Sequence, residues 1–368
     1  MSNEPRLTIC VGGGGVGKTT TSSALALRLA RGGARTLIMT VDPARRLADA
    51  LGVRVGQETM QAHIDPRAGD RLWAKMPDPR SSMVDFMEWL FIDPVQRERF
   101  KKNPAYVELA DSLAGVHEVL TLALLQNEID SGKFDEVVLD TAPSRHALGF
   151  LAYPSRLLEL LEAKALEWLS AAANVGGKAE SRGLFSWGRS KVEGLFGQVL
   201  GTGGVRDLSV FFAELVSVRQ RWADLSRRTD AFLHGEKTRY FIVGAPTGGA
   251  MADVLYLTRA LERRKQKPAA IVLNRAERDI PASEIAVGRI LDTRAGIVSQ
   301  DDERALRETL TGLASEHRAR AAAADDAARR ITATAPRGTA LVRLPYVGPR
   351  RPNEIVLALA DAWEEAGY

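Results

Sequence analysis

A glycine-rich stretch near the start of the chain constrains its fold more than any other feature of the sequence. Residues 12–20 have the sequence GGGGVGKTT, which matches G-x-x-x-x-G-K-[ST]. An apolar run over residues 7–11 precedes the stretch, and a helical pattern that includes Ala24, Leu25 and Leu27 follows it. Glycines let a loop turn its backbone N–H groups toward phosphate oxygens, and a helix N-terminus adds partial positive charge. The pattern therefore predicts a phosphate-binding loop.

The loop, together with the end of a second predicted strand, predicts a site for a nucleotide and magnesium. We expect Lys18 to bind the outer phosphates and the Thr19 hydroxyl to ligate Mg²⁺. The apolar run over residues 136–139 ends in Asp140, which we expect to hold Mg²⁺ through water. A strand-end Asp can also cap a turn. The loop residues expected to contact ATP or ADP are Gly12, Gly14, Gly15, Val16, Gly17, Lys18, Thr19 and Thr20.

Short apolar runs alternate with longer helical patterns, which is typical of a parallel sheet covered by helices on both faces. We predict strands at residues 7–11, 36–41, 136–139, 240–243, 270–273 and 340–344. Five of them are followed by Gly12, Asp42, Asp140, Asn274 and Pro345. In such sheets ligands bind beyond the carboxyl ends of the strands. The prediction is an α/β fold of three layers, with a mostly parallel sheet flanked by helices.

Two helix-rich insertions interrupt this strand pattern, at about residues 64–131 and 151–239. We expect them to form a helical subdomain of one domain that spans residues 1–368. The centre of the second insertion, residues 175–205, is rich in glycine and is interpreted as a loop. Residues 301–330 predict one or two exposed helices, and a last helix is expected to begin with Asn353 as its N-cap.

The amino-acid composition limits which kinds of molecule this protein is expected to bind and where it is expected to lie in the cell. The 368 residues contain 50 Lys and Arg against 46 Asp and Glu, a small and dispersed excess that does not favour nucleic acid. No signal-peptide layout or run of about 18 apolar residues occurs, so we expect a cytoplasmic protein without an integral membrane segment. Cys10 is the single cysteine. One thiol cannot form an intrachain disulfide or a CxxC metal site, and we interpret Cys10 as a buried apolar residue.

Three segments together resemble a known family. They are the glycine loop, VDPARRLAD at residues 41–49 and DTAPSRH at residues 140–146. The last two are similar to the TDPAHxLSD and DTAPTGH switch motifs of the arsenite-pump and guided-entry (tail-anchored protein targeting) ATPases, within the MinD/ParA-like class of P-loop proteins. LNRAE from Leu273 and LPYVG from Leu344 occupy the places of that family's base-recognition motifs. The tract from Ser112 to Leu158 resembles a bacterial, anion-transporting ATPase-like branch of the family.

The resemblance implies further site residues. Asp42 would position or activate the attacking water, although an Asp before Pro also caps helices. Asn274 would bind the adenine edge, with Pro345 and Tyr346 closing over the base, although Asn274 can also be a turn residue. Asp49 and His146 match positions of the family motifs, but no chemical step is assigned to either.

The sequence departs from the family at the second residue of the loop. There the family has a lysine that reaches the partner's phosphates across a dimer, and this chain has Gly13. Hydrolysis would then be slow, or a related subunit would supply the lysine, or Arg45 or Arg46 would replace it. A solvated helix face is the simpler interpretation of Arg45 and Arg46.

These features lead to one leading function and two alternatives. The first is Mg²⁺-dependent hydrolysis of ATP to ADP and phosphate that drives a switch in a homodimer or heterodimer. The second is a weakly hydrolysing, nucleotide-sensing subunit with a lysine-bearing partner, and the third is a MinD/ParA-like positioning switch. The resemblance also implies a hydrophobic client protein. Its groove would use Met76, Met83, Phe86, Met87, Trp89, Leu90 and Phe91, although such a helical stripe is usually core.

Overall fold

The described part of the chain forms two compact units. A computed structural model describes residues 4–42, 45–104, 116–142, 148–149, 204–279 and 299–368. The first unit contains Met1–Met76, Phe134–Leu148 and Lys237–Tyr368, and the second contains Pro77–Lys133 and Gly149–Glu236. None of the described helices has an apolar stretch long enough to cross a bilayer.

The first unit is built on one sheet of eight strands among the described residues. The strands are β1 (Arg6–Gly12), β2 (Thr36–Thr40), β3 (Met60–Gln61), β4 (Leu72–Lys75), β5 (Glu136–Asp140), β6 (Thr238–Gly244), β7 (Pro268–Leu273) and β8 (Ala340–Arg343). Their order is β3-β4-β2-β5-β1-β6-β7-β8. All neighbours pair in parallel except β3 and β4. The predicted α/β fold with a mostly parallel sheet is confirmed.

The helices follow the expected pattern. They are α1 (Lys18–Arg31), α2 (Arg46–Leu51), α3 (Pro79–Leu90), α4 (Pro94–Lys101), α5 (Val116–Asp130), α6 (Gly204–His234), α7 (Gly248–Glu262), α8 (Gln300–Thr334) and α9 (Pro352–Glu365). Residues 301–330 lie in the single helix α8. The predicted N-cap Asn353 is wrong, since α9 begins at Pro352 after the N-cap Arg351. Proline suits the first helical position, and the Glu354 carboxylate accepts the Arg351 N–H at 3.3 Å.

Helices α1 and α9 pack together over the sheet. On α9 the buried residues Val356, Leu359, Ala360 and Trp363 recur at helical spacing and form one apolar face. Trp363 is fully buried, and its indole N–H donates to the backbone oxygen of Thr21 on α1 at 3.3 Å. The C-terminal helix therefore supports the helix that follows the glycine loop.

The second unit has its own apolar core. Phe86, Met87, Leu90 and Phe91 of this unit are all at most 5% exposed. Phe91 and Phe100 lie 4.7 Å apart between ring centroids, and Phe100 stacks on Phe211 of α6. The stripe that the sequence offers as a client groove thus contributes these four side chains to a core. The glycine-rich centre of the second insertion, residues 175–205, lies outside the described residues except for the start of α6.

Candidate functional site

The glycine loop lies between β1 and α1, at the carboxyl edge of the sheet. Gly15 and Gly17 have φ angles of 76° and 84°, and α1 begins directly after Gly17. A Cβ atom at Gly12 would lie 2.5 Å from the oxygen of Val243, and one at Gly17 would lie 2.4 Å from Asn274 Nδ2. Glycine is therefore required both by backbone angle and by close packing. The loop and the start of α1 present backbone N–H groups to an anion.

Asp140 brings the polar side chains of the loop together. Asp140 is the last residue of β5. It pairs in register with Cys10 of β1 and Thr40 of β2, which places its buried carboxylate under the loop. Lys18 Nζ donates to Asp140 Oδ1 at 2.6 Å and also to the oxygen of Thr141. The Thr19 hydroxyl donates to Asp140 Oδ2 at 2.7 Å. The sequence-predicted residues Lys18, Thr19 and Asp140 therefore converge on one point.

The oxygen atoms at this point suit a small divalent cation. Thr19 Oγ1 and Asp140 Oδ2 are hard ligands of the kind that Mg²⁺ prefers, and they already lie within hydrogen-bond distance of each other. The described residues contain no group of three or more His, Cys, Asp or Glu placed to hold a metal ion. A magnesium ion here would complete its coordination with phosphate oxygens and water, as Mg²⁺ does at nucleotide sites.

Asp42 is buried at the end of β2, and it is connected to the same cluster. Its backbone N–H donates to Thr40 Oγ1 at 3.0 Å, and the Thr40 hydroxyl lies 3.3 Å from Asp140 Oδ2. Asp42 Oδ2 lies 3.1 Å from a guanidinium nitrogen of Arg46, one turn further along the chain. The Arg46 side chain is 58% exposed, as the solvated-helix interpretation expects, and it also pairs with the predicted catalytic carboxylate.

A cavity of about 400 Å³ opens over the glycine loop. It is lined by Gly13, Gly15, Gly17, Lys18, Thr19 and Thr20 of the loop, and by Arg46, Asp49, Ala50, Arg275 and Pro352. Arg46 and Asp49 thus lie beside the predicted phosphate site, whereas Arg45 lines a different cavity. Pro43, Ala44 and His146 lie outside the described residues.

Asn274 supports the loop directly. It follows β7, and its side-chain Nδ2 donates to the backbone oxygen of Val16 at 2.9 Å. In this structure the amide nitrogen thus ties the end of β7 to the glycine loop, a contact that sequence reasoning did not anticipate. The predicted role of Asn274 at the adenine edge stays a prediction.

A second cavity of about 410 Å³ is lined in part by Arg275, the residue that follows Asn274. Tyr346 lines it together with Arg275, Glu277 and Arg320, and about half of the Tyr346 side chain is exposed. Pro345 is exposed just before Tyr346. The predicted base-binding loop therefore borders a cavity of its own. Arg320 was not among the sequence-predicted residues, since no motif contains it. Arg275 lies within LNRAE, but only Asn274 of that segment was given a role.

The residue that departs from the family pattern has an acidic neighbour. A Cβ atom at Gly13 would lie 2.1 Å from the carboxylate oxygen Oδ2 of Asp253 on α7. The space for a side chain at residue 13 is thus taken by a carboxylate. Sequence reasoning missed Asp253, because 240 residues separate it from the loop and only the fold brings the two together.

Cys10 lies in β1 and is inert, in agreement with the sequence prediction. Its side chain is 1% exposed. Burial, with the nearby Asp140 charge, raises the pKa of the thiol from 9.0 to about 12. A thiol of this kind is neither a nucleophile nor a metal ligand at neutral pH.

Comparison with known proteins agrees with this geometry. Residues 6–182 match the family model described as anion-transporting ATPase. The chain is 36% identical over 152 residues to "ATPase GET3" of Malassezia globosa and 33% identical over 165 residues to "ATPase ASNA1 homolog 1" of Paramecium tetraurelia. These alignments cover 41% and 42% of this chain, and 43% and 46% of the relatives, so the chain matches less than half of their length.

A longer alignment joins the chain to "ATPase GET3" of Mycosarcoma maydis, with 30% identity over 234 residues, 63% of this chain and 61% of the relative. The matched family region contains the glycine loop, Asp42 and Asp140, which are the same residues that converge in the structure. Over residues 6–182, just under half of its length, the chain is therefore similar to the arsenite-pump and GET3 family of P-loop ATPases.

Proposed function

We propose that this protein binds ATP with Mg²⁺, hydrolyses it to ADP and phosphate, and uses the cycle as a conformational switch in a dimer. One observation carries the proposal: Lys18 and Thr19 converge on the buried Asp140 directly under a loop of backbone N–H groups. That arrangement gathers an ammonium group, a hydroxyl and a carboxylate where a triphosphate would meet the sheet.

Each residue has a defined part in this proposal. The N–H groups after Gly15 and Gly17 would bind the phosphate chain, and Lys18 would exchange its bonds to Asp140 and the Thr141 oxygen for phosphate oxygens. Thr19 and Asp140 would hold the magnesium ion. When bound, that ion neutralises charge on the outer phosphates. Asp42 would orient the attacking water, with Arg46 fixing the carboxylate at 3.1 Å.

In this proposal, two chain segments would respond to the γ-phosphate. Asp42 ends the run from β2, and Asp140 and Thr141 end the run from β5, so both segments leave the sheet beside the loop. Contacts that exist only with ATP would favour one conformation of these segments, which is how a phosphate drives a switch. Dimerisation would deliver that change to a second subunit.

A second function is favoured by the surroundings of Gly13. The family lysine is absent, and the Asp253 carboxylate lies where its side chain would begin. We propose as the alternative a nucleotide-sensing subunit that hydrolyses slowly until a related chain supplies a cation. The Asp253 carboxylate would attract that incoming lysine or arginine.

The client hypothesis needs a site other than the predicted stripe. Phe86, Met87, Leu90 and Phe91 are buried in the core of the second unit. A hydrophobic client needs apolar surface that is open to solvent. A client protein, if the switch serves one, would therefore bind elsewhere or bind a rearranged second unit.

Four variants test the proposed ATPase. Lys18→Ala should weaken ATP binding by about a hundredfold, because it removes the ammonium group from the phosphate site. Asp42→Asn should keep binding within a few-fold but lower turnover by about a hundredfold or more. The matched controls Lys267→Ala and Asp326→Asn remove the same charges at exposed positions and should behave as wild type. Calorimetry with ATP and ADP measures the binding affinity, and a phosphate-release assay measures the turnover rate.

The possible results separate the parts of the proposal. If folded wild-type protein takes up neither ATP nor ADP with magnesium, the proposal fails as a whole. If Asp42→Asn hydrolyses ATP at the wild-type rate, the water-orienting role is wrong while the nucleotide site stands. If wild-type protein turns over only after a related chain is added, the sensing subunit is the correct function.

A further inference from the structure

The two cavities at the carboxyl edge of the sheet share one lining residue. The first, of about 400 Å³, lies over the glycine loop, and the second, of about 410 Å³, contains Tyr346 and Arg320. Arg275 lines both. Arg275 therefore lies where the two cavities adjoin.

The backbone of Arg275 has an unusual conformation. Its φ angle is 56°, in the left-handed region that glycine prefers. Among the described residues, Lys265 with φ 58° is the only other non-glycine residue with a positive φ. Both lie at the ends of β7, Lys265 before it and Arg275 after it. A large side chain in this region costs about 1 kcal/mol, and such strain is concentrated at functional sites.

The side chain of Arg275 is a cation that has no partner among the described residues. The residue is exposed, and its guanidinium makes no hydrogen bond or ion pair with another residue in the described ranges. Arg320, which lines the second cavity only, differs, because its Nε donates to the buried Glu277 carboxylate at 2.8 Å. The guanidinium of Arg275 is therefore available to a ligand, while that of Arg320 is bound by the protein.

We infer that Arg275 binds the middle of the nucleotide, its α-phosphate and ribose, and so fixes the path from the loop to the second cavity. The α-phosphate is anionic and the ribose carries hydroxyl groups, and a guanidinium can donate to both in a fixed fork. The adjacent Asn274 holds the loop through Val16, so residue 275 is anchored next to the phosphates. This inference rests on the proposed nucleotide site and adds a residue that governs affinity for ADP and ATP alike.

Arg275→Gly tests the inference with little risk to folding. Glycine adopts φ 56° without strain, so the variant should melt at the wild-type temperature or higher. If the guanidinium binds the α-phosphate and ribose, affinity for ADP and for ATP should fall by about the same factor, tenfold or more. Arg275→Lys should restore part of that loss, since it returns the charge without the fork. Calorimetric titration and a thermal melt supply the measurements.

Lys265→Gly is the matched control. It relieves the same kind of backbone strain at the other end of β7, outside both cavities. It should share the effect on melting temperature and leave nucleotide affinity unchanged. Arg275→Asn, which also tolerates a positive φ, serves as a second variant without the charge.

Three results would overturn the inference. One is an Arg275→Gly variant that binds ADP as tightly as wild type. Another is an equal loss of affinity for inorganic tripolyphosphate, since the guanidinium would then act on the outer phosphates. The third is an equal loss in Lys265→Gly. If the wild-type protein itself binds no nucleotide, the proposed function fails first, and that failure is distinguishable because it does not depend on Arg275.

Discussion

Gly13 and Asp253 make a direct prediction about single side chains. Lysine at residue 13 requires the Asp253 carboxylate to rotate away, because the new Cβ atom would lie 2.1 Å from Asp253 Oδ2. The carboxylate is the far end of a flexible side chain, so it can move aside. We expect Gly13→Lys to raise ATP turnover by about tenfold or more, since it restores a cation beside the phosphates.

The control for this prediction is Gly13→Ala. It introduces the same Cβ contact with Asp253 but no charge, so its turnover should stay at or below the wild-type rate. Phosphate release by the three proteins, measured at matched occupancy with ATP, checks the prediction. Equal rates for Gly13→Lys and Gly13→Ala would show that a missing cation does not limit hydrolysis.

The candidate site divides into residues that sequence can predict and residues that it cannot. Lys18, Thr19 and Asp140 belong to local patterns in which a strand ends beside a recognisable loop, and the structure brings them together. Arg275 is marked by a backbone angle that an arginine does not reveal in sequence. Asp253 acts through a contact across 240 residues. Torsion angles and distant contacts are set by the whole fold, so local patterns do not contain them.

At the scale of elements, a small ionic network ties α1 to the chain that precedes β4. Arg31 at the end of α1 donates from Nε to Asp65 Oδ2 at 2.6 Å, and the Arg67 N–H donates to Asp65 Oδ1 at 3.0 Å. Burial alone would raise the pKa of Asp65, but the Arg67 N–H and the Arg31 guanidinium outweigh it and hold that pKa below 3.8. The charged form of Asp65 is thus stabilised by folding.

Asp65→Asn should lower the free energy of unfolding by about 2 kcal/mol near pH 7, because it removes one of the two carboxylates that pair with the buried Arg31 and leaves only Asp361 at 2.9 Å. The folded pKa is depressed, so this stability is present above pH 3.8 and is lost as the pH falls through the lower folded pKa. Urea unfolding from pH 7 to pH 3 should show the two proteins converging in acid. Asp70→Asn, at a 79% exposed carboxylate nearby, should change little. A constant difference across this range would contradict the assignment.

The elements themselves were mostly accessible from the sequence. Six apolar runs predicted strands, and each of them lies in the sheet. The exceptions are β3 and β4. Leu72–Lys75 has only four residues with a half-buried Trp73, too short to distinguish from the surrounding insertion. It becomes a strand because β2 offers it a parallel partner.

At the scale of the whole molecule, the single thiol reports on the integrity of the first unit. Cys10 is buried in the central strand, and burial raises its pKa from 9.0 to about 12. We expect a thiol reagent at pH 7 to modify it only when the sheet opens, at a rate that rises steeply with urea. ATP or ADP with magnesium should slow the reaction in proportion to occupancy, because ligand stabilises the folded form. Mass spectrometry at timed intervals measures the modified fraction.

The same thiol adds a pH dependence in alkali. Its folded pKa is raised, so its contribution to stability is complete below pH 9.0 and is lost as the pH rises toward 12. Cys10→Ser should flatten that loss, although it costs some stability at every pH because a hydroxyl is buried. Rapid and complete modification of the native wild-type protein at pH 7 would contradict this description.

The bonds from Lys18 to Asp140 and the Thr141 oxygen give the loop an internal counter-ion. An arriving phosphate chain meets an ammonium that is already neutralised, so it competes with the protein's own carboxylate and not only with water. In the proposed function, ligand affinity would therefore depend on the difference between two partners of one charge. Small shifts of β5 against β1, by strengthening or weakening the internal partner, can tune nucleotide binding without touching the loop.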